Sequence, residues 1–174
     1  VDLVLGNNCK INIVEALENY AADHESHISV LDLSVKQPYE ELEIDKVSEH
    51  TRAYIKIQDG CNQFCSYCII PYTRGRIRSR ELDDILKEVH RLADNGYQEI
   101  VLTGIHLTSY GVDNQKGSLL EVISRIHEIE GVKRIRLGSL EPRVVTEEFV
   151  SALAAMEKYA HIFIFPCKAA VTAF

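Results

Sequence analysis

Long apolar runs are missing from this chain of 174 residues. No stretch approaches the roughly 20 residues that a membrane helix needs, so no membrane partner is expected. No basic segment followed by an apolar one opens the sequence, so no secretory leader is read. An initiator methionine is missing too. The chain starts directly on the strand-like run VDLVLGN, and the expectation is that it begins part-way through an element. Positive charge is in deficit: 19 Lys and Arg against 26 Asp and Glu leave a net charge of −7. That excludes a general polyanion coat-binder and confines any nucleic-acid contact to a local patch or to another domain. Cysteine is sparse and uneven. There are five, an odd number, and three fall within eight residues. This suits a reducing cytoplasm better than a disulfide framework, and cytoplasmic localisation is expected.

What is present is enough apolar residue, 46%, for a real core, in a length that suits one large domain or one domain and part of another. DLVL at 2–5 reads as a short strand. Ile11, Val14, Leu17 and Ala21 recur at helical spacing and predict a helix over about 11–22. SVLDL at 29–33 reads as another strand. The polar, acidic stretch 34–50 contains Pro38 and reads as a linker, with a domain boundary near 45–50. After it strands and helices alternate. AYIKI (53–57), EIVLT (99–103) and RIRLGS (134–139) read as strands, and IFIF (162–165) as the possible start of a further one. Helices are predicted over 81–95, over 118–129 with a capping box at Ser118–Glu121, and from Thr146 to about 157. In the last, Phe149, Val150, Leu153 and Met156 are expected to face inward. This rhythm implies parallel βαβ units, hence part of a (β/α) barrel or a doubly wound sheet. In both, function gathers at the C-terminal ends of the strands. The cysteine loop, TGIH (103–106) and SLEP (139–142) each follow a predicted strand and therefore share one rim.

Cys61, Cys65 and Cys68 stand in the spacing C-x3-C-x2-C. Thiolates are soft ligands and suit iron–sulfur clusters or zinc. Structural zinc usually closes four protein ligands. Here no second cysteine pair exists, although His106 on the same rim is a candidate fourth ligand. Three cysteines on a [4Fe–4S] cluster instead leave one iron free to take a small chelating molecule. Inert buried cysteine and a redox C-x-x-C at Cys65 and Cys68 are the plainer alternatives, and the second leaves Cys61 unexplained.

The spacing, with the aromatic Tyr67 just before the last cysteine, is the signature of radical S-adenosylmethionine enzymes. YIKIQDGCNQFCSYCIIPYTRGRIRSR closely resembles their methylthiotransferase branch, which inserts a methylthio group at an unactivated C–H bond. EIVLTGIHLTSYGVD (99–113) and RIRLGSLEP (134–142) resemble it in order and spacing. The nearest sub-branch acts on N6-threonylcarbamoyladenosine at position 37 of tRNA. The isopentenyladenosine and ribosomal-protein branches are the rivals, and a non-enzymatic zinc module is the rival of another class. The resemblance implies a [4Fe–4S] cluster on Cys61, Cys65 and Cys68, with S-adenosylmethionine chelating the open iron. It implies Tyr67 near the adenine, Thr103 and Gly104 at the methionyl end, and Ser139 and Glu141 as further cofactor contacts on the rim. It also implies an electron donor such as flavodoxin or ferredoxin, and the tRNA anticodon loop as partner. The implied fold is α/β: a partial (β/α) radical S-adenosylmethionine barrel preceded by the end of an α/β methylthiotransferase N-terminal domain. The implied domains are 1–48, the end of that N-terminal domain with its linker, 49–162, the first part of the barrel, and a tail at 163–174. In full-length members a second [4Fe–4S] cluster is held by upstream cysteines. Cys9 matches none of them and is read as structural.

Arg74, Arg76, Arg78 and Arg80 follow at every second residue. In an extended segment they share one face, a cationic strip suited to phosphates, beside which Tyr72 is placed to stack on a base. The alternative is a solvated turn balanced by Glu81, Asp83 and Asp84. The resemblance ends near residue 162. A codon choice exists for Phe163–Phe174 that, read from its third base, gives HLSLQSGCDSV, the kind of run with which the family continues. A frameshift at about 162–163 is therefore expected, making Cys167 an accident of frame and the fragment inactive alone. The gene sequence decides this: absence of an HLSLQSGC-like run in every downstream frame refutes it.

Overall fold

Residues 1–33, 35, 37–42, 51–115 and 117–165 are described by the computed structural model. The expected boundary near 45–50 and the tail from 166, with Cys167, lie outside the described residues. At the N-terminus, β1 (Leu3–Leu5) is followed by a 3-10 turn at Lys10–Asn12 and helix α1 (Ile13–Asp23), which returns the chain to β2 (His27–Ser29). The two strands pair in parallel, Leu3 opposite His27 and Leu5 opposite Ser29. This pairing sets the second strand earlier than the expected 29–33. The apolar spacing of α1 is real, yet Ile11, Val14 and Leu17 are more than half exposed and no residue of the helix is buried.

The main sheet is built on β3 (Arg52–Asp59). Its alternation buries Ala53, Ile55 and Ile57 and then breaks, because Gln58 and Asp59 are buried as well. A four-residue helix α2 (Ile70–Thr73) and a short strand β4 (Arg78–Ser79) come next. The sequence pattern missed both: PYTR carries no helical periodicity and RS is too short to alternate. They are followed by α3 (Leu82–Asp94), β5 (Glu99–Gly104), α4 (Leu119–Glu128), β6 (Arg134–Leu137) and α5 (Glu147–Ala154). Strand order is β4-β3-β5-β6, with β3, β5 and β6 parallel and β4 antiparallel.

Capping chemistry sets the helix starts. Ser118 accepts the Glu121 N–H at the head of α4, and Thr146 accepts the Phe149 N–H at the head of α5. α3 lays Ile85, Val89 and Leu92 on the sheet, and α4 adds Val122, Ile123 and Ile126. Each such side chain is worth about 1.5–3 kcal/mol of burial. α5 ends at Ala154 instead of 157; Phe149 and Leu153 face inward as expected, but Val150 is exposed. β6 stops at Leu137, and the expected strand at 162–165 is reduced to an isolated bridge between Ser139 and Ile164. This α/β sheet, with crossover helices and a β6 edge met in parallel at Tyr159 and Ile164, fits part of a radical S-adenosylmethionine barrel.

Candidate functional site

The loop from 60 to 77 leaves the C-terminal end of β3 and returns as β4. Its neck is tied by several groups. Gln58 and Ser79 pair across it, as do Asp59 and Arg78, and the Cys61 N–H donates to the Gly75 carbonyl at 3.1 Å. Gly60 has φ +70°, and a Cβ there would lie 1.9 Å from the Arg76 carbonyl oxygen, so the neck closes only on glycine. The Asp59 carboxylate takes the Gly60 N–H at 2.8 Å and Lys56 Nζ at 2.6 Å, with Arg78 at 3.3 Å. Burial pushes its pKa up, but the Lys56 bond and charge, the Gly60 N–H and Arg78 outweigh that and hold it below the ordinary value.

Cys61, Cys65 and Cys68 all lie on this loop as free thiols, Cys61 buried and the others half-buried. The Gln63 N–H points at Cys61 Sγ, 3.5 Å away, a contact of the kind that steadies cluster sulfurs. Among the described residues, no three His, Cys, Asp or Glu side chains are gathered closely enough to grip a single metal ion. The donor set, three soft thiols on one glycine-necked loop, fits an iron–sulfur cluster by chemistry. The zinc alternative fares worse at its fourth ligand, because both ring nitrogens of His106 have protein partners: Nδ1 lies 2.6 Å from Ser109 Oγ and Nε2 3.2 Å from Glu141.

The other expected contacts are dispersed. Tyr67 is 71% exposed. Thr103 donates its hydroxyl to the Ile55 carbonyl at 3.2 Å, so its side chain is spent within the sheet. A Cβ on Gly104 would press on Gln58 at 2.9 Å. Ser139 is exposed and bridges to Ile164 by its backbone. Glu141 is held between His106 and Arg143 Nη2, the latter at 3.1 Å. Burial pushes the Glu141 carboxyl up, and the Arg143 bond with the His106 contact brings it below the usual range. Gln63 reaches from the cysteine loop to Arg143. Gln63, His106, Glu141 and Arg143 line a cavity of about 530 Å³ with Thr108, Thr146 and Glu148 on its wall, whereas Tyr67, Thr103, Gly104 and Ser139 lie outside it.

The expected cationic strip does not form. Arg78 and Arg80 are each 2% exposed. Arg78 donates to the carbonyls of Arg74 and Arg76, while Arg80 pairs with Glu41 and Glu88. The loop turns at Gly75 (φ +76°), which destroys the alternate-residue geometry of an extended segment. Arg74 is half-buried against Asp59 and Asn7. Arg76 alone of the four is exposed, its guanidinium 4.9 Å over the Phe64 ring. Phe64, at φ +47°, meets the exposed Tyr72 edge to face at 5.5 Å. Phe64, Gln58 and Arg143 carry no motif of their own. The one signal for Gln58 was a pair of polar residues closing an alternating strand before glycine.

A family model described as the Radical SAM superfamily matches residues 55–162. A threonylcarbamoyladenosine tRNA methylthiotransferase, MtaB, of Bacillus subtilis is 38% identical over 91% of this chain and 35% of its own length. A tRNA-2-methylthio-N(6)-dimethylallyladenosine synthase of Clostridium tetani is also 38% identical over the same shares. A putative methylthiotransferase of Helicobacter pylori is 48% identical over 64% of this chain and 27% of its own. The chain thus spans about a third of the length of these curated relatives.

Proposed function

The chain belongs to the radical SAM superfamily, and from that premise we propose that it is part of a tRNA methylthiotransferase acting on N6-threonylcarbamoyladenosine. The similarity to relatives named for threonylcarbamoyladenosine and for dimethylallyladenosine is equal at 38%, so identity does not separate the two substrates. The observation that favours the first is the rim cavity. Gln63, His106, Thr108, Glu141, Arg143 and Thr146 give part of its wall hydrogen-bonding groups, beside the apolar Leu120, Val144 and Phe149. The polar part of that wall offers partners to the urea, hydroxyl and carboxylate of a threonylcarbamoyl group that an apolar dimethylallyl one does not use.

Cys61, Cys65 and Cys68 would hold the [4Fe–4S] cluster. When bound, the cluster would supply the single electron for reductive cleavage of S-adenosylmethionine. The backbone of Thr103 and Gly104 would receive the methionyl end, Tyr67 would lie near the adenine, and Glu141 with Ser139 would bound the site on the β6 side. Phe64, Tyr72 and Arg76 would seat an unpaired base of the anticodon loop by stacking, with Arg74 nearby for backbone phosphate. Arg78 and Arg80 have no part in RNA contact on this reading. A one-electron donor such as flavodoxin or ferredoxin, a second cluster on upstream cysteines, a cytoplasmic setting and a frameshifted 163–174 complete the proposal.

Nucleoside mass spectrometry of tRNA from a strain lacking the gene tests the substrate. The expected result is loss of the methylthio group from threonylcarbamoyladenosine alone. Loss from the isopentenyl nucleoside instead overturns the assignment. Anaerobic reconstitution with iron and sulfide tests the class: a brown protein is expected, and a colourless one retaining stoichiometric zinc would sink it.

A further inference from the structure

Gln58 is fully buried, yet it stands at the rim of the sheet between two loops that the chain must bring together. Register slips between Lys56 and Gln58, so that Gln58 opposes Gly104 while Ile57 is left over as a bulge. The bulge aims the Gln58 side chain across to β5. Its Nε2 donates to the Asp59 and Gly60 carbonyls, both at 2.8 Å, at the neck of the cysteine loop. Its Oε1 accepts the His106 N–H at 2.7 Å, in the loop after β5. The amide orientation is fixed by its partners, since the flipped form would set oxygen against two carbonyls. Gly104 packs on the same amide so closely that a Cβ would sit 2.9 Å from Oε1.

We propose that Gln58 is a positioning residue that fixes the cysteine loop against the loop after β5. On the reading of those loops given above, it thereby sets the affinity for S-adenosylmethionine. No other side chain has the required shape: glutamate lacks the two donors, and alanine strands two carbonyls and one N–H. The same contact explains Gly104 as space for the strut, independent of any backbone angle.

Hydrogen exchange on the 174-residue chain without cofactor tests the strut directly. Gln58→Ala should speed exchange at the His106 amide by about tenfold, the size of one lost hydrogen bond. Ile100 and Leu102 in the middle of β5 should keep their protection. Unchanged exchange at His106 overturns the proposal. Should Gln58→Ala fail to fold, Gly104→Ala pushes on the same amide and should give the same local signature. After anaerobic reconstitution, each variant should hold as much iron as the wild type but bind S-adenosylmethionine about tenfold more weakly. The Gln58→Ala, Gly104→Ala double variant should be no worse than the weaker single one, because removing the amide makes room for the methyl. Equal affinity in wild type and variants refutes the link to the cofactor. A wild-type chain that takes up neither cluster nor S-adenosylmethionine counts against the proposed function instead, and the exchange result then decides Gln58 alone.

Discussion

Arginines spaced by two are equivalent in sequence and are sorted by the fold. Arg76 lies on an aromatic ring at the surface, whereas Arg78 is used up on two carbonyls and a carboxylate inside the loop. Their variants should therefore behave differently. On the proposed function, Phe64→Ala and Tyr72→Ala should each weaken binding of an anticodon stem-loop by about tenfold, since a stacked base is worth about 1–3 kcal/mol. Their thermal stability should stay near wild type, because both rings are substantially exposed. Arg78→Ala should lower the melting temperature instead, through the buried Asp59 charge and the loop carbonyls it leaves unpaired. Fluorescence anisotropy alongside a thermal melt separates the two. Equal loss of RNA binding with no loss of stability for Arg78→Ala would contradict the sorting.

Elements are held to the sheet by more than apolar area. Arg80 leaves β4 and forms a buried pair with Glu88 of α3, while the Tyr110 hydroxyl donates to the Arg80 carbonyl at 2.8 Å. Glu88 thus sits on the apolar face of a helix otherwise lined by Ile85, Val89 and Leu92. Removing Glu88 leaves the buried Arg80 guanidinium with the more exposed Glu41 as its carboxylate partner. Glu88→Ala should cost about 1.5–3 kcal/mol in urea unfolding, the size of one lost charged hydrogen bond. Replacing both residues by apolar ones of similar volume should recover most of that loss. Recovery is limited only by Glu41, which meets Arg80 from the N-terminal segment at 2.5 Å. A single-variant cost below about 1 kcal/mol would show the pair to be solvated.

Across the whole molecule, charge is divided between the two ends of the sheet. At the end away from the cysteine loop, Glu99 gathers Arg52, Arg134 and Arg136 across β3, β5 and β6. Burial pushes its carboxyl up, but the Arg136 and Arg52 bonds outweigh it and set the folded pKa below the usual value. Its contribution is therefore full above the ordinary glutamate pKa, about 4.3, and disappears as pH falls through the lower folded value. Glu99→Gln should flatten the fall of the melting temperature in that acid range while lowering stability slightly at neutral pH. A variant curve parallel to wild type would remove Glu99 from the account.

Helix α4 and strands β3 and β5 were legible in the sequence because their signals are local. Ser118 reaches only three residues ahead, and alternate apolar residues choose a face without help from distant chain. The cysteine spacing was legible for the same reason: three soft ligands within one short loop state their chemistry by composition. The arginine strip misled because alternation predicts a shared face only in extended backbone, and Gly75 turns the chain. The spacing of Ile11, Val14 and Leu17 predicted a helix but not their exposure, because periodicity states which residues share a side, not what covers it. Sequence alone thus determined the alternating α/β plan, the loop that carries the thiols and the family they announce. Tertiary structure alone decided that Gln58 braces that loop against His106, that Arg78 and Arg80 are internal, and that Phe64 joins Tyr72 and Arg76 at the surface. Each of those contacts joins residues through a turn or across two strands, where chain separation carries no periodic signal and packing selects the partner.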